Sequence, residues 1–454
     1  MLRRRNWPDA PKQRMFMTRL PARCSAWFAL ARPGWLWLSA LLIPASIAAE
    51  NWPAWRGPDG TGVSAERGLP IRWNATNNVR WRVPLPERGN SSPIVWDNRV
   101  FITQALEKEG RRTVICFDRA NGKLLWQSGT TYSEKETTHE TNPQCSASPA
   151  TDGERVVASF ASAGLYCFDM DGRELWHRDL GRQAHIWGNG ASPILHDNLC
   201  ILNFGPGERT FLIALDKKTG ETVWQADEPG GHYGEKKPGE SGNAWIGSWC
   251  TPIVIRTNGR EELIMSFPGR VCAFDPRTGR EWWTCQGLNP LVYTSPLYDD
   301  GVVVAMGGFM GSSLAVKPGG QGDVTATHRL WHHPKTKQRI GSGVIHDGHI
   351  YILNEPGVAE CYALQTGQLV WEERLEGPSR KSASWSSLVL ADGNIYAANQ
   401  AGETFVLKAI PKFEVLSVNP LGETTMASPA VSDGEILIRT YQSLWCISGR
   451  KKLP

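Results

Sequence analysis

A short phrase recurs along this chain, and its recurrence constrains the fold more than any other feature. Residues 118–126 read DRANGKLLW; the pattern of acid, turn glycine and tryptophan returns at 169–176, 216–224 and 275–283, and in variant form at 365–371. A second phrase marks the other end of each unit: Ser91-Ser92-Pro93, Ala147-Ser148-Pro149, Ala191-Ser192-Pro193, Cys250-Thr251-Pro252, Thr294-Ser295-Pro296 and Ala427-Ser428-Pro429. Trp126, Trp176, Trp224, Trp283, Trp331 and Trp371 follow one another at 50, 48, 59, 48 and 40 residues. A period of that size, with four short strands in each unit, is the signature of propeller blades.

Within a unit the strands can be read. The Ser-Pro phrase leads into the first. An Asp-Gly or Asp-Asn pair follows at 97–98, 152–153, 347–348, 392–393 and 433–434, which suits a tight hairpin because these residues tolerate positive φ. A Thr-Gly or Asn-Gly turn then separates the third strand from the strand that carries the tryptophan. First strands near 91, 146, 191, 249, 294, 342, 386 and 427 make eight units. The last lacks a fourth strand, and residues 79–83 (VRWRV) supply one from the start of the chain. The expectation is therefore an all-β, eight-bladed propeller of four-stranded antiparallel blades, closed by the N-terminal strand on the last blade. Closure removes the exposed strand edges of an open array. The boundaries expected are a leader at 1–49, an extension at 50–78, the propeller at 79–448 and a tail at 449–454.

Repeats of the form Ala-x-Asp-x-x-Thr-Gly-x-x-x-Trp resemble the pyrroloquinoline-quinone (PQQ) type of propeller repeat, and they run through the chain after residue 79. Residues 51–58 (NWPAWRGP) resemble the opening of exported bacterial PQQ-like propellers of unassigned role. The repeat specifies a fold more than a function. The tryptophan is expected to fill the wedge between blades and the glycine to make the turn.

Charge narrows the function classes. Residues 1–49 hold eight Arg or Lys and one Asp, so the rest of the chain has 41 basic against 44 acidic residues. That balance gives no bulk grip on nucleic acid. The first 49 residues combine a basic stretch, a short apolar run at 35–43 and the small-x-small triplet Ser46-Ile47-Ala48, which reads as an export signal cleaved near Ala48 or Ala49. The apolar run is too short to span a bilayer. A monomeric, periplasmic or extracellular protein is expected. Of the nine cysteines after the leader, Cys116, Cys167 and Cys446 share a third-strand position with Ala214, Ala273, Ala315 and Ala363, as small buried residues would. A disulfide among Cys145, Cys200, Cys250, Cys285 and Cys361 stays open at this stage. His332-His333 and His346-x-x-His349 are read as strand histidines rather than metal ligands.

Function is expected where the repeat is broken. The segments that lead into the innermost strands share one face of the ring, and there they place His185, Trp187, Asn189, Trp245, Trp249, Tyr293, Arg339, Lys381 and Trp385 around a funnel mouth. Aromatic walls with a few polar groups suit a small molecule, a glycan or an envelope protein, and Arg339 with Lys381 would form a basic sector. The opposing reading has the same tryptophans packed shut. The family resemblance raises a PQQ- and Ca²⁺-dependent dehydrogenase, with the quinone stacked on a tryptophan over a Ca²⁺ ion. Ca²⁺ takes six to eight oxygens, and this set holds few carboxylates: Glu140, Glu423 and Glu240. Adjacent cysteines and a haem-attachment motif are also absent from the sequence. A binding or scaffold propeller is therefore preferred, with no catalytic residue, metal or cofactor assigned; the quinoprotein and a carbohydrate-active or carbohydrate-binding propeller are the alternatives.

Overall fold

The computed structural model describes residues 50–183, 185–207, 209–228, 246–379 and 383–449. Eight small antiparallel sheets follow one another along the chain. Blade 1 is Ile94–Trp96, Arg99–Leu106, Arg111–Asp118 and Leu124–Thr131, ordered from the channel outward. Blades 2 to 4 open at Ala150–Thr151, Ile194–His196 and Ile253–Thr257 and end at Glu174–Arg178, Thr222–Asp227 and Glu281–Gln286. Blades 5 to 7 open at Leu297–Asp299, Val344–His346 and Val389–Ala391 and end at Arg329–His333, Leu369–Arg374 and Val415–Pro420. Blade 8 takes three strands, Ala430–Ser432, Glu435–Arg439 and Ser443–Ser448, from the C-terminal end. Its outer strand is Val79–Pro84, antiparallel to Ser443–Ser448 with Trp81 opposite Cys446. The eight blades and the closure are those expected.

The recurrent phrase has a mechanical explanation. Asp118 accepts the amides of Ala120 and Asn121 on one side-chain oxygen and so fixes its turn; Asp216 does the same for Lys218 and Thr219. The turn ends at a glycine in the left-handed region, for example Gly172 at φ 85°. A Cβ on Gly172 would lie 2.6 Å from the Trp126 ring of the preceding blade, and one on Gly220 2.8 Å from Trp176. Glycine is thus required twice, by its dihedral and by the neighbouring indole. The indole N–H then donates to a carbonyl of that same turn: Trp81 to Arg119 (2.7 Å), Trp126 to Met170 (2.8 Å), Trp176 to Lys217 (3.0 Å), Trp224 to Pro276 (2.9 Å) and Trp331 to Leu364 (2.8 Å). Trp176, Trp224 and Trp283 are buried, whereas Trp126, Trp331 and Trp371 are half-buried. Blade 7 lacks the outer-strand tryptophan, and Trp73 from the extension stacks on Tyr396 there.

The small residue of the third strand sits opposite the tryptophan in register, as Cys116 opposite Trp126 and Ala214 opposite Trp224. In blade 6 that residue is Cys361, not Ala363 as the sequence pattern suggested: Ala363 stands where other blades have the turn acid, its carbonyl accepting the Gly367 amide as that of Asp118 accepts Gly122. All nine cysteines of the described residues are buried free thiols, so the disulfide left open above is not formed. Burial pushes the Cys116 and Cys167 thiols up to about 12.

The second phrase builds a belt around the channel. The amide of Ser92 donates to the Ser148 hydroxyl (2.8 Å), Ser148 to Ser192 (2.9 Å), Ser192 to Thr251 (3.0 Å) and Thr251 to Ser295 (3.0 Å). Ser295 continues to Ser342 (3.0 Å), Ser342 to Ser387 (2.9 Å), Ser387 to Ser428 (2.9 Å) and Ser428 back to Ser92 (3.0 Å). One hydroxyl per blade satisfies one buried amide of the blade before it.

The extension does not hang free. Residues 50–66 cross the channel on the face opposite the funnel. Trp52 exchanges two backbone bonds with Val95 in blade 1, Pro53 accepts the Thr151 amide in blade 2, and Val63–Ser64 runs parallel to Val389–Ala391 in blade 7. Arg56 pins this crossing. Its buried guanidinium donates to the carbonyls of Gly60, Ser342 and Leu388 at 3.3, 3.3 and 3.5 Å, to Gly343 at 2.5 Å, and to Thr61. Burial pulls the Arg56 guanidinium down to about 9, so it stays charged at neutral pH.

Candidate functional site

Five of the expected site residues, His185, Trp187, Asn189, Trp249 and Tyr293, come together where the segments before blades 2 to 5 meet. Trp249, just before blade 4, lies edge-on to His185 (centroids 4.9 Å) and to Tyr293 (5.1 Å), and its N–H donates to the Gly188 carbonyl at 2.8 Å. Trp187 packs against His139 at 4.5 Å. Asn189 donates its amide to Gln183 and to the Gly205 carbonyl, both at 2.9 Å. Asn142 reaches across to the carbonyls of Trp187 (2.5 Å) and Asn189 (3.1 Å). These contacts join blades 2, 3, 4 and 5 into one aromatic cluster. His185 Nδ1 accepts the Trp187 amide at 3.1 Å, and burial pulls this imidazole down to about 4, so it is neutral at pH 7. Burial likewise pushes the Tyr293 hydroxyl up to about 12. Trp385, from blade 7, is half-buried, and its ring nitrogen has no protein partner among the described residues. Trp245 and Lys381 lie outside the described residues.

Arg339 departs from expectation. It is 1% exposed, with Nη2 3.0 Å from Glu360 and Nε donating to Asn354 at 3.1 Å. It is half of a buried ion pair beneath the mouth, not a basic group offered at the rim. Lys337 bonds the other Glu360 oxygen at 2.8 Å. Together these partners hold the Glu360 carboxylate below its usual range despite the burial that opposes them. The other buried carboxylates on this face are spent in the same way. Glu423 is bound by Arg82, Thr440, Ser443 and Trp445, Glu403 by Asn399 and the Ser379 amide, and Glu136 by Arg112. Glu140 is exposed, and Glu240 lies outside the described residues.

Two functional candidates escaped the repeat argument. The loop 307–312 (GGFMGS) joins the second and third strands of blade 5 on the funnel face. It carries Phe309 and Met310 outward, 53% and 60% exposed, with Met310 at φ 43°. A Cβ on Gly308 would lie 2.2 Å from the Tyr293 ring, and Asn289 donates to the Phe309 carbonyl at 3.4 Å, so this knob stands against the aromatic cluster. Its signal in the sequence was a run of glycines around two large apolar residues.

Among the described residues, one grouping has metal-ligand chemistry: His196, Asp197 and Glu261, with donor atoms within 4.8 Å. It lies on the face opposite the funnel. Arg256 is 3.0 Å from Glu261, and Arg277 is 3.4 Å from Asp197 and 3.7 Å from Glu261, so both carboxylates already have cations. The His332-His333 and His346-x-x-His349 pairs form no such grouping.

This architecture defines a PQQ-like eight-bladed propeller. The chain belongs to the family described as outer membrane protein assembly factor BamB, which matches residues 56–205, 110–286 and 208–452. Among solved structures, BamB from Moraxella catarrhalis is similar at TM-score 0.57 and 14% identity, covering 82% of this chain and 98% of that one. Quinohemoprotein alcohol dehydrogenase from Comamonas testosteroni is similar at TM-score 0.63 and 11% identity, covering 89% and 82%. The computationally designed Ika8 protein aligns at TM-score 0.56 and 14% identity, over 81% and 99%. At these identities the likeness is one of fold. No curated protein matches the chain. No helix among the described residues is long and apolar enough to cross a membrane.

Proposed function

We propose that this is an exported scaffold propeller that holds a protein partner of the cell envelope at its funnel face. The observation that carries this reading is the apolar knob Phe309–Met310 standing beside the cluster of Tyr293, Trp249 and His185. Exposed aromatic and Met side chains over a rigid aromatic base have the composition of an interface core. The family description, which names outer-membrane protein assembly, favours a protein partner over a small molecule. The described residues fit PQQ with Ca²⁺ poorly. The buried carboxylates of this face are bound by neighbouring side chains, and Trp187 and Trp249 already carry ring neighbours. Export rests on the leader at 1–49.

The test is site-specific photo-crosslinking from position 309 in cells that express the full chain. A discrete adduct is expected from position 309, lost when Met310→Asp is added to the photoreactive chain while the melting temperature holds. An equally strong adduct from position 369, exposed on the outer edge of blade 6, or no adduct at 309, would overturn the proposal.

A further inference from the structure

The opposite face carries a second candidate site. Between the hydroxyl belt and the crossing segment lies a cavity of about 250 Å³. Thr251 and Ser295 of the belt form its ceiling, residues 53–60 its floor, and the innermost strands of blades 3 and 4 its wall. Elsewhere the crossing segment pairs with the channel-facing backbone, at Val95, Thr151 and Leu390. Among the described residues it makes no backbone bond to Ile194–His196 or Ile253–Thr257. In a two-residue hairpin the residue before the closing pair turns its N–H and C=O away from the partner strand. In blade 3 that residue is Leu195, the counterpart of Val95; in blade 4 it is Arg256, and Val254, two residues earlier in the strand, has the same orientation. Ile194, Leu195 and His196 are all half-buried, whereas Ile94 and Val95 are buried.

We infer that this chamber binds a neutral polyhydroxyl ligand the size of one sugar ring. Three observations select that chemistry. The unpaired strand edges offer donors and acceptors side by side, which hydroxyl groups match and a purely apolar ligand does not. Trp55, Pro58, Ile194 and Ile253 provide apolar surface for the C–H face of a ring. Of the charged groups that line it, Glu261 is paired with Arg256 (3.0 Å) and lies 3.3 Å from His196, and Asp59 stands on the exposed rim, so no buried unbalanced charge calls for an ion. A cavity of about 150 Å³ accommodates benzene, and the additional volume here leaves room for ring hydroxyls. The exposed rim at Pro58, Asp59 and Arg256 opens the chamber to solvent.

Saturation-transfer NMR on the purified full chain with D-glucose, D-galactose and N-acetyl-D-glucosamine tests this. At least one of the three sugars should receive saturation. Ile194→Phe, which fills the chamber, should weaken that binding at least tenfold with little change in melting temperature. Phe309→Asp/Met310→Asp should leave it intact, which separates this site from the funnel face. The inference is overturned if none of the three sugars binds, if Ile194→Phe binds as well as the native chain, or if the funnel variant abolishes binding.

Discussion

The ring closes where blade 8 meets blade 1, and Glu435 is the group whose removal should test that junction most severely. Its side chain is 2% exposed, with one oxygen 3.0 Å from Arg119 of blade 1 and the other bound by Arg80 of the closing strand. Arg119 is also buried, and its remaining donors go to the carbonyls of Asp97 (3.2 Å) and Ser432 (2.5 Å). Glu435→Ala would leave that guanidinium buried without a counter-charge. Breaking a buried pair from one side costs about 3–5 kcal/mol. Arg80 is 37% exposed and can rehydrate, so Arg80→Met should cost no more than about 1 kcal/mol. The double variant Arg119→Met/Glu435→Leu removes both charges and should be less damaged than Glu435→Ala alone. Urea unfolding followed by tryptophan fluorescence and by far-UV circular dichroism measures the differences, provided the two probes coincide. A loss below about 1 kcal/mol for Glu435→Ala, or an equal loss for Arg80→Met, would refute the argument.

Trp176→Ala and Trp283→Ala should each cost about 3–5 kcal/mol in the same assay, and the half-buried Trp126 less. Ser148→Ala strands the Ser92 amide and should cost about 1–3 kcal/mol, whereas Ser148→Thr, which keeps the hydroxyl as Thr251 does, should cost little. Burial lowers the folded-state pKa of His185 to about 4, below its unfolded value near 6.5. Its contribution is therefore full above about pH 6.5 and is lost progressively as pH falls toward 4. Melting curves for His185→Gln should show a shallower loss over that window than the native chain. Titration of the purified protein with PQQ and Ca²⁺ should give no saturable change in quinone absorbance; a stoichiometric endpoint would revive the dehydrogenase reading.

The sequence reveals the fold where one residue does the same job in one blade after another. Gly122, Gly172 and Gly220 each meet a positive φ and an indole at once, so the period survives divergence and the blade number can be counted. Cys361 shows the limit of such counting, because in blade 6 an alanine, Ala363, replaces the acid that heads the turn in other blades, and the count from Gln365 then falls two residues late. The site was less legible. The mouth itself follows from topology, and the contacts among His185, Trp249 and Tyr293 agree with it. The fate of Arg339 does not follow, since its partner Glu360 is 21 residues away on a strand of the same blade and no repeat links the two. The crossing segment is the extreme case. Arg56 finds carbonyls 286, 287 and 332 residues downstream, and nothing local announces that reach.

The hydroxyl belt differs in kind from the strand closure. The closure is made once, by Val79–Pro84 on Ser443–Ser448, and it joins two strands more than 350 residues apart in the chain. The belt is a directed cycle: every link runs from amide to hydroxyl in the same rotational sense, and the link from Ser428 to Ser92 is no different from the other seven. It therefore holds no record of the order in which the blades were made. Circular permutants opened between other blades would keep all eight links, so the inner rim is indifferent to where the termini lie.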